Sequence, residues 1–350
     1  MSRLIIIYFF SAISLLALSQ SGGRNTYEFL NLPNSPYIAS LGGTNVSHYQ
    51  KDPVLVNSNP ALLRPAFDEK LSLNYINYLS DINFGYISYS KNIENIGMFG
   101  VGMQYINYGK FINADETGEI LGNFYAAEYS FNMFYSYPLS ERLNAGASFK
   151  TIYSSFWQYF SSGLALDLGL AYVDTSNMLS AGLVIKNAGF QLKPYVKGNR
   201  EPLPFDIQIG VTKKFRHAPL RFSVTAKDLT RWNLSYKSVF SQNYNLLQEE
   251  DPSEKFIDKI GKIGDEFIRH IVIGFEIVPS DAFYFSFGYN YRRRTEMVIP
   301  TAPKLTGFSA GFGLNLSKFS ISYGIASYHL AGVSNHLSLC LNLNQIYKRV

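Results

Sequence analysis

Cysteine is almost missing. Cys340 is the only one in 350 residues, which excludes an intrachain disulfide and any cysteine-based zinc site. Charged side chains make up only 16% of the chain, and the net charge of +5 is spread without a long Lys/Arg cluster, so nucleic-acid binding has no support. Beyond residue 19 no apolar run approaches the roughly 20 residues of a spanning helix. The five histidines, His48, His217, His270, His329 and His336, lack metal-ligand spacing, and there is no H-E-x-x-H motif. No cofactor and no metal site is implied, and no catalytic residue is assigned.

What is abundant is aromatic and small. The chain holds 26 Tyr, 27 Phe and 27 Gly, diluted by Asn and Ser, a mixture suited to a wall with one apolar and one polar face. From residue 70 nearly to the end the hydrophobic period is two. In GLALDLGLAY, Leu164, Leu166, Leu168, Leu170 and Tyr172 alternate with Ala165, Asp167, Gly169 and Ala171. GFSAGFGLNLS and HLSLCLNLN repeat the pattern. A soluble sandwich alternates too, but its outward face normally carries Lys, Glu and Thr; a face of Gly, Ser and Asn reads as the inside of a barrel.

The predicted strands lie near 70–79, 82–91, 95–106, 124–137, 141–153, 160–173, 177–187, 204–216, 219–228, 267–278, 281–292, 306–316, 319–328 and 335–346. Fourteen elements of about ten residues predict an all-β fold, a transmembrane antiparallel barrel over residues 70–350. Connections after even strands are short, while those after odd strands are mostly long, as at 107–123, 187–204 and 229–266. That asymmetry places both chain ends on the periplasmic side of a bacterial outer membrane. The first hairpin, with its short Ser80-Asp81 turn, is the exception.

Ahead of the barrel, Arg3, the run LIIIYFFSAISLLAL and Ala17-Leu18-Ser19 before Gln20 fit a secretory signal peptide over residues 1–19. A membrane anchor is the competing reading, but the run is short and no cysteine near the cleavage point offers a lipidation site. Residues 20–69 are predicted to form a short plug. Within it NSNPALL stands out, since Asn59 can cap a helical turn that Pro60 begins and Pro65 interrupts. Gly42 and Gly43 permit an earlier tight bend, and Asn45 opens a formal Asn-Val-Ser glycosylation sequon.

Four further features carry candidate roles. DPSEKFIDKIGKIGDEF offers Asp251 as a cap and Phe256, Ile260, Ile263 and Phe267 as one face of an amphipathic helix, which either docks a partner or packs on its own loop. Arg292, Arg293 and Arg294 sit at a strand end, as a solvated rim or as an attraction for lipopolysaccharide phosphates or an acidic partner. Trp157, Tyr159 and Phe160 fit an aromatic belt where the barrel meets the outer membrane lipid surface, and Trp157 is a candidate docking residue. GFSAG matches the G-x-S-x-G hydrolase pattern, yet Ser309 falls inside an alternating strand rather than on a strand-to-helix elbow, so no enzyme is expected. His329 and His336 are expected on one long loop, as polar loop residues.

The stretch YEFLNLPNSPYIASLGGTNVSHYQKDPVLVNSNPALL, with FLNLP, LGGTNVS and NPALL in order, resembles the PorQ barrels of the type IX secretion system. More broadly, an N-terminal segment carrying N-P-A before a fourteen-stranded barrel is similar to the FadL family of hydrophobic-compound transporters. The first resemblance implies a non-enzymatic barrel that anchors an attachment complex with PorV, PorU and PorZ and fixes exported cargo to the cell surface, its extracellular loops serving as the docking surface. The second implies a transporter in which the plug gates a hydrophobic passage. The chain departs from one barrel habit by ending YKRV, with Tyr347 the nearest terminal aromatic.

Overall fold

In a strand whose residues alternate apolar and small, one face must meet an apolar medium while the other packs inward. The computed structural model, which describes residues 25–49, 52–79, 81–234, 261, 263–296, 305–329 and 332–347, closes such strands into one barrel. The order is β1 (Lys70–Leu79), β2 (Ile82–Ile93), β3 (Gly97–Ala114), β4 (Ile120–Pro138), β5 (Leu143–Phe156), β6 (Tyr159–Asp174), β7 (Leu179–Lys193), β8 (Asp206–Lys214), β9 (Leu220–Ala226), β10 (Ile271–Ser280), β11 (Phe283–Asn290), β12 (Phe308–Asn315), β13 (Phe319–His329) and β14 (Gly332–Asn342). Each strand pairs antiparallel with the next, and β1 pairs with β14 through Lys70↔Asn342 to Asn77↔Asn335. Closure leaves no open sheet edge, the condition for crossing lipid with strands.

The faces are as the alternation requires. On β6, Leu166, Leu168, Leu170 and Tyr172 are exposed, whereas Ala165, Asp167 and Ala171 are buried. Phe308, Phe312 and Leu314 on β12 and Leu337 on β14 also point outward, while Ser309, Ser338 and Cys340 point inward. A continuous exterior of Leu, Phe, Tyr, Ile and Val is tolerable only against lipid.

Wall height is uneven. β3 and β4 hold 18 and 19 residues, β8 and β9 only 9 and 7. One rim has only short turns, over 94–96, 139–142, 175–178, 215–219, 281–282 and 316–318. The other rim departs from expectation. The predicted 107–123 loop shrinks to 115–119, because β3 and β4 continue through a register shift at Asn107/Lys110, next to Gly109 at φ 86. Asp115 then closes the turn, its Oδ1 accepting from the Thr117 and Glu119 amides at 2.9 Å. β7 likewise runs on to Lys193, and β5 joins β6 across Trp157, at φ 54, and Gln158. His329 ends β13 and His336 lies within β14, so the two do not share the long loop expected to carry both.

Among the described residues there are four α-helical pieces, all short. α1 (Pro36–Ser40) lies in the plug, α2 covers 263–269, α3 (Tyr291–Glu296) follows β11, and α4 (Leu343–Tyr347) follows β14. Two of these correct strand ends: Phe267 belongs to α2 rather than to the strand predicted from 267, and the last strand, predicted to run to 346, ends at Asn342 where the chain turns helical. Asp251, Phe256 and Ile260 lie outside the described residues.

Residues 25–49 and 52–69 fill the lumen. From Pro33 to Gly43 and from Pro53 to Arg64 every residue is buried. Three buried apolar clusters result. One joins Tyr27, Phe29, Leu30 and Val54 to Ile76, Phe84, Tyr86, Ile106 and Ile152 in the long-loop half. The second gathers Tyr37, Ile38, Leu41, Leu55, Ala61 and Leu62 against Ala171, Val278 and Tyr284. The third packs Val56, Leu63 and Phe67 on Met98 and Phe134.

Candidate functional site

The site is the contact between plug and wall, and it starts from one local device used three times. Ser35-Pro36, Asp52-Pro53 and Asn59-Pro60 each put a capping side chain before a proline that needs no donor. Ser35 Oγ accepts from the Tyr37 amide at 3.1 Å, Asp52 Oδ1 from Val54 at 2.9 Å and Asn59 Oδ1 from Ala61 at 3.0 Å. The sequence reading singled out only Asn59 and Pro60; the same dipeptide signal was present at the other two positions. Ser35 Oγ also donates to Asp52 Oδ2 at 2.7 Å, tying two of the turns together.

Asn59 does more than cap. Its Nδ2 donates to Val46 O at 2.9 Å and to Leu170 O of β6 at 3.1 Å. Gly42 and Gly43 stand at φ 93 and 89, a left-handed pair that ends α1 with the Gly43 amide donating to Ile38 O at 3.0 Å. Gly42 then reaches the wall, its amide donating to Ser309 Oγ at 3.0 Å while its carbonyl accepts from Asn290 Nδ2 and Arg293 Nη1, each at 3.3 Å. Asn45 Oδ1 accepts from the Ser47 and His48 amides and shapes the next bend. At 1% exposure, it is out of reach of a glycosylating enzyme.

The wall answers with glycine. Four cross-strand pairs, Gly146↔Gly169, Gly182↔Gly210, Gly274↔Gly288 and Gly311↔Gly324, face the plug. A Cβ at Gly169 would lie 2.0 Å from Asn59 Oδ1, at Gly182 2.0 Å from Val46 O, and at Gly288 2.0 Å from the Gly42 nitrogen. Plug backbone therefore lies directly on wall backbone.

Buried charge completes the joint. Glu276 of β10 accepts from the Tyr37 hydroxyl at 2.7 Å, pairs with His48 Nε2 at 2.7 Å and meets Arg221 of β9 at 3.4 Å. His48 Nδ1 is buried without a partner, so a second ring proton would be buried unpaired; desolvation accordingly holds the His48 pKa below its ordinary value, against the pull of Glu276. The Tyr37 hydroxyl is pushed well above its usual range, by burial first and by Glu276 second. A second pair, Lys150 and Asp167, lies 2.6 Å apart with Asn187 bridging both. These charges sit at inward positions of otherwise small-residue strands, the signal that could have identified them from sequence.

Other predicted residues fall elsewhere. Arg292 pairs with Asp228 and Glu296 at 2.9 Å each, and Arg293 lies 3.9 Å over the Tyr328 ring. Both are tied into the protein rather than presented from a free rim. Arg294 lies 5.9 Å from the Phe308 ring. Trp157 is 50% exposed and packs on Phe124, which stacks on Phe111. Ser309, in mid-strand, donates to Ser40 O at 2.9 Å, so its hydroxyl holds plug backbone.

No family model and no curated protein matches the chain. Solved structures do. The toluene transporter TodX of Pseudomonas putida aligns over 89% of this chain and 97% of its own at 13% identity, with a TM-score of 0.50. The deltaS2S3 mutant of the TodX monoaromatic hydrocarbon channel aligns over 87% and 96% at 14% identity, also at 0.50. A FadL homologue of Pseudomonas aeruginosa aligns over 88% and 98% at 11% identity, at 0.49. At such identities the likeness is one of architecture, and in architecture this chain is a closed, fourteen-stranded β-barrel similar to TodX.

Proposed function

We propose that the chain is an outer-membrane barrel that admits a small hydrophobic molecule, with the first turn of the plug as its gate. The observation that carries this reading is the apolar chamber in the long-loop half of the lumen. Ile76, Phe84, Tyr86, Ile106 and Ile152 line it, and Tyr27, Phe29 and Leu30 fill it. Elsewhere the inward face is largely Gly, Ser, Asn and paired charge, with smaller apolar patches at Val278 and Tyr284 and at Met98 and Phe134, so the long-loop half carries the larger apolar lining.

The two parts of the plug are held differently. Residues 36–61 lie on the glycine collar and the Glu276 cluster. The Tyr27–Asn31 turn rests on few polar contacts with the rest of the barrel, among them the Thr26 amide to Pro202 O at 3.0 Å, Gln104 Nε2 to Phe29 O at 2.8 Å, Asn187 Nδ2 to Asn31 Oδ1 at 3.4 Å, and a Tyr27–Ser161 hydroxyl contact. Lifting that turn exposes the chamber and leaves the rest in place. The barrel likeness to TodX supports this reading at the level of fold. The short-turn rim, where β1 begins and β14 ends, faces the periplasm.

The test is uptake of a hydrophobic fluorophore, N-phenylnaphthylamine, by cells displaying the chain. Uptake above the empty-vector level, raised further by Phe29→Ala, is expected. Equal uptake with and without the chain would remove the transport reading.

A second reading, anchorage of a surface attachment complex with PorV, PorU and PorZ partners, is favoured by the β3–β4 hairpin, which stands above the low β8–β9 wall. It exposes Ile112, Ile120, Leu121 and Tyr125. Recovery of such partners with the gently extracted barrel, lost when Ile112 and Leu121 become Ser, would favour anchorage.

A further inference from the structure

At the outer edge of the apolar chamber the inward face turns polar. Glu128 of β4 stands opposite Ser154 of β5, which stands opposite Ser161 of β6. Gln191 of β7 extends this row, its Nε2 donating to Ser161 Oγ at 3.1 Å. Aromatic rings close around the row. Between ring centroids Tyr108 lies 5.5 Å from Phe156, Phe156 5.8 Å from Tyr195, and Tyr195 6.4 Å from Tyr27, all within the range of direct ring contact. Glu128 is buried among them at 3% exposure.

The partners of Glu128 are hydroxyls. Tyr108 donates to its Oε2, while Tyr195 donates to Ser154 Oγ, which in turn hydrogen-bonds Glu128. Both chains of donors end on the carboxylate, an arrangement that suits its ionised, acceptor-only form. No Lys, Arg or His among the described residues forms an ion pair with it. Lys150, two inward positions along β5 from Ser154, is matched by Asp167 at 2.6 Å. The other cations at this end, Lys110, Lys193, Lys197 and Arg200, are exposed, and Lys193 lies 2.8 Å over the Phe160 ring. Glu201, whose amide donates to Gln191 Oε1 at 2.7 Å, adds negative charge rather than positive. By contrast Glu276 and Asp167 each meet a cation inside the barrel. Hydroxyls and water satisfy the hydrogen bonds of a buried carboxylate but leave its charge uncompensated.

We infer that the molecule admitted to the chamber is a small organic ammonium ion, its nitrogen held against Glu128 among the Tyr108, Phe156 and Tyr195 rings and its apolar part against Ile106 and Ile152. Aromatic rings around a carboxylate are the setting in which desolvated organic cations are recognised, the rings and the charge acting together. Tyr27 closes the row through Ser161 and Tyr195, so binding there rests on the gating reading above, in which the Tyr27–Asn31 turn lifts.

The test uses the full chain purified in deuterated detergent, with tetramethylammonium as probe and tert-butanol as its neutral counterpart of similar size, read by saturation-transfer NMR from the aromatic protons. Tetramethylammonium is expected to receive the larger saturation. Glu128→Gln keeps the side-chain shape and an acceptor for Tyr108, and is expected to weaken tetramethylammonium at least about tenfold while leaving tert-butanol unchanged. Equal transfer to the two probes, transfer to tert-butanol alone, transfer to neither, or undiminished tetramethylammonium binding in a folded Glu128→Gln barrel would each overturn the inference. Transfer to tert-butanol alone would leave the gated chamber standing, since that reading falls only with the N-phenylnaphthylamine uptake. If Glu128→Gln fails to fold, Phe156→Leu takes its place: it keeps the carboxylate, removes one ring and must weaken tetramethylammonium more than tert-butanol.

Discussion

The Tyr37 hydroxyl donates to Glu276 Oε1 at 2.7 Å, joining plug and wall across 239 residues of chain. His48 and Arg221 converge on the same carboxylate, so Glu276 is where the plug is tied to the barrel electrostatically. Glu276→Ala leaves the Arg221 guanidinium and two plug groups without their acceptor, and breaking a buried pair this way costs about 3–5 kcal/mol. Tyr37→Phe removes one donor and leaves Glu276 with its other partners, a loss of about 1–2 kcal/mol. Hydrogen exchange of plug amides should show the first variant opening far more often than the second.

The same cluster makes plug docking sensitive to acid. The folded-state pKa of His48 lies below its ordinary 6.5, with burial as the first cause. The released plug therefore binds more protons than the docked one between those two values, and docking strengthens as pH rises through that window. Plug amides should exchange faster, after correction for intrinsic rates, at about pH 5 than at about pH 7.5. In His48→Gln the difference should largely vanish; a wild-type-sized acid effect in that variant would assign the sensitivity to another group.

Glycine in the collar is required by contact. A Cβ at Gly182 would stand 2.0 Å from Val46 O and one at Gly288 2.0 Å from the Gly42 nitrogen, backbone atoms that no rotamer change can move. Gly182→Ala and Gly288→Ala should each displace the plug at the upper end of the roughly 1–3 kcal/mol typical of overpacking. Gly264, on α2 with nothing within 4 Å of its Cβ position, is the control. Its replacement by Ala should be neutral or slightly stabilising through helix propensity. Limited proteolysis of the plug distinguishes the two classes.

Asn59 separates capping from docking. Asn59→Ala loses the cap to Ala61, about 1 kcal/mol, and also strips the donor from Val46 O and Leu170 O. Asn59→Asp keeps an excellent cap but sets a carboxylate against those two carbonyls. It should therefore release the plug at least as readily as Ala. An Asp variant with wild-type plug protection in hydrogen exchange would reduce Asn59 to a local cap.

Much of this was legible in the residues themselves. Period-two alternation is a local property, so Leu166, Leu168 and Leu170 declare the lipid face, and all fourteen strands could be placed without any knowledge of their partners. Capping is equally local, which is why Asn59-Pro60 could be recognised as a turn. Strand ends were less legible. The 107–123 segment holds Gly and charge, yet pairing across the hairpin carries β3 to Ala114 and β4 back to Ile120.

What only the tertiary structure decided is which inward residue meets which part of the plug. Lumen glycines read as merely small until Val46, Asn59 and Gly42 are seen against them. Glu276, Arg221, His48 and Tyr37 are scattered single residues until closure of the barrel brings them together. The arginine run looked free because charge near a strand end usually meets water, but Arg292 and Arg293 find Asp228, Glu296 and the Tyr328 ring. Alternation depends on each residue's own transfer free energy between lipid and lumen, and so it is written along the chain. Plug docking depends on distances between residues far apart in sequence, and those exist only once the barrel has closed.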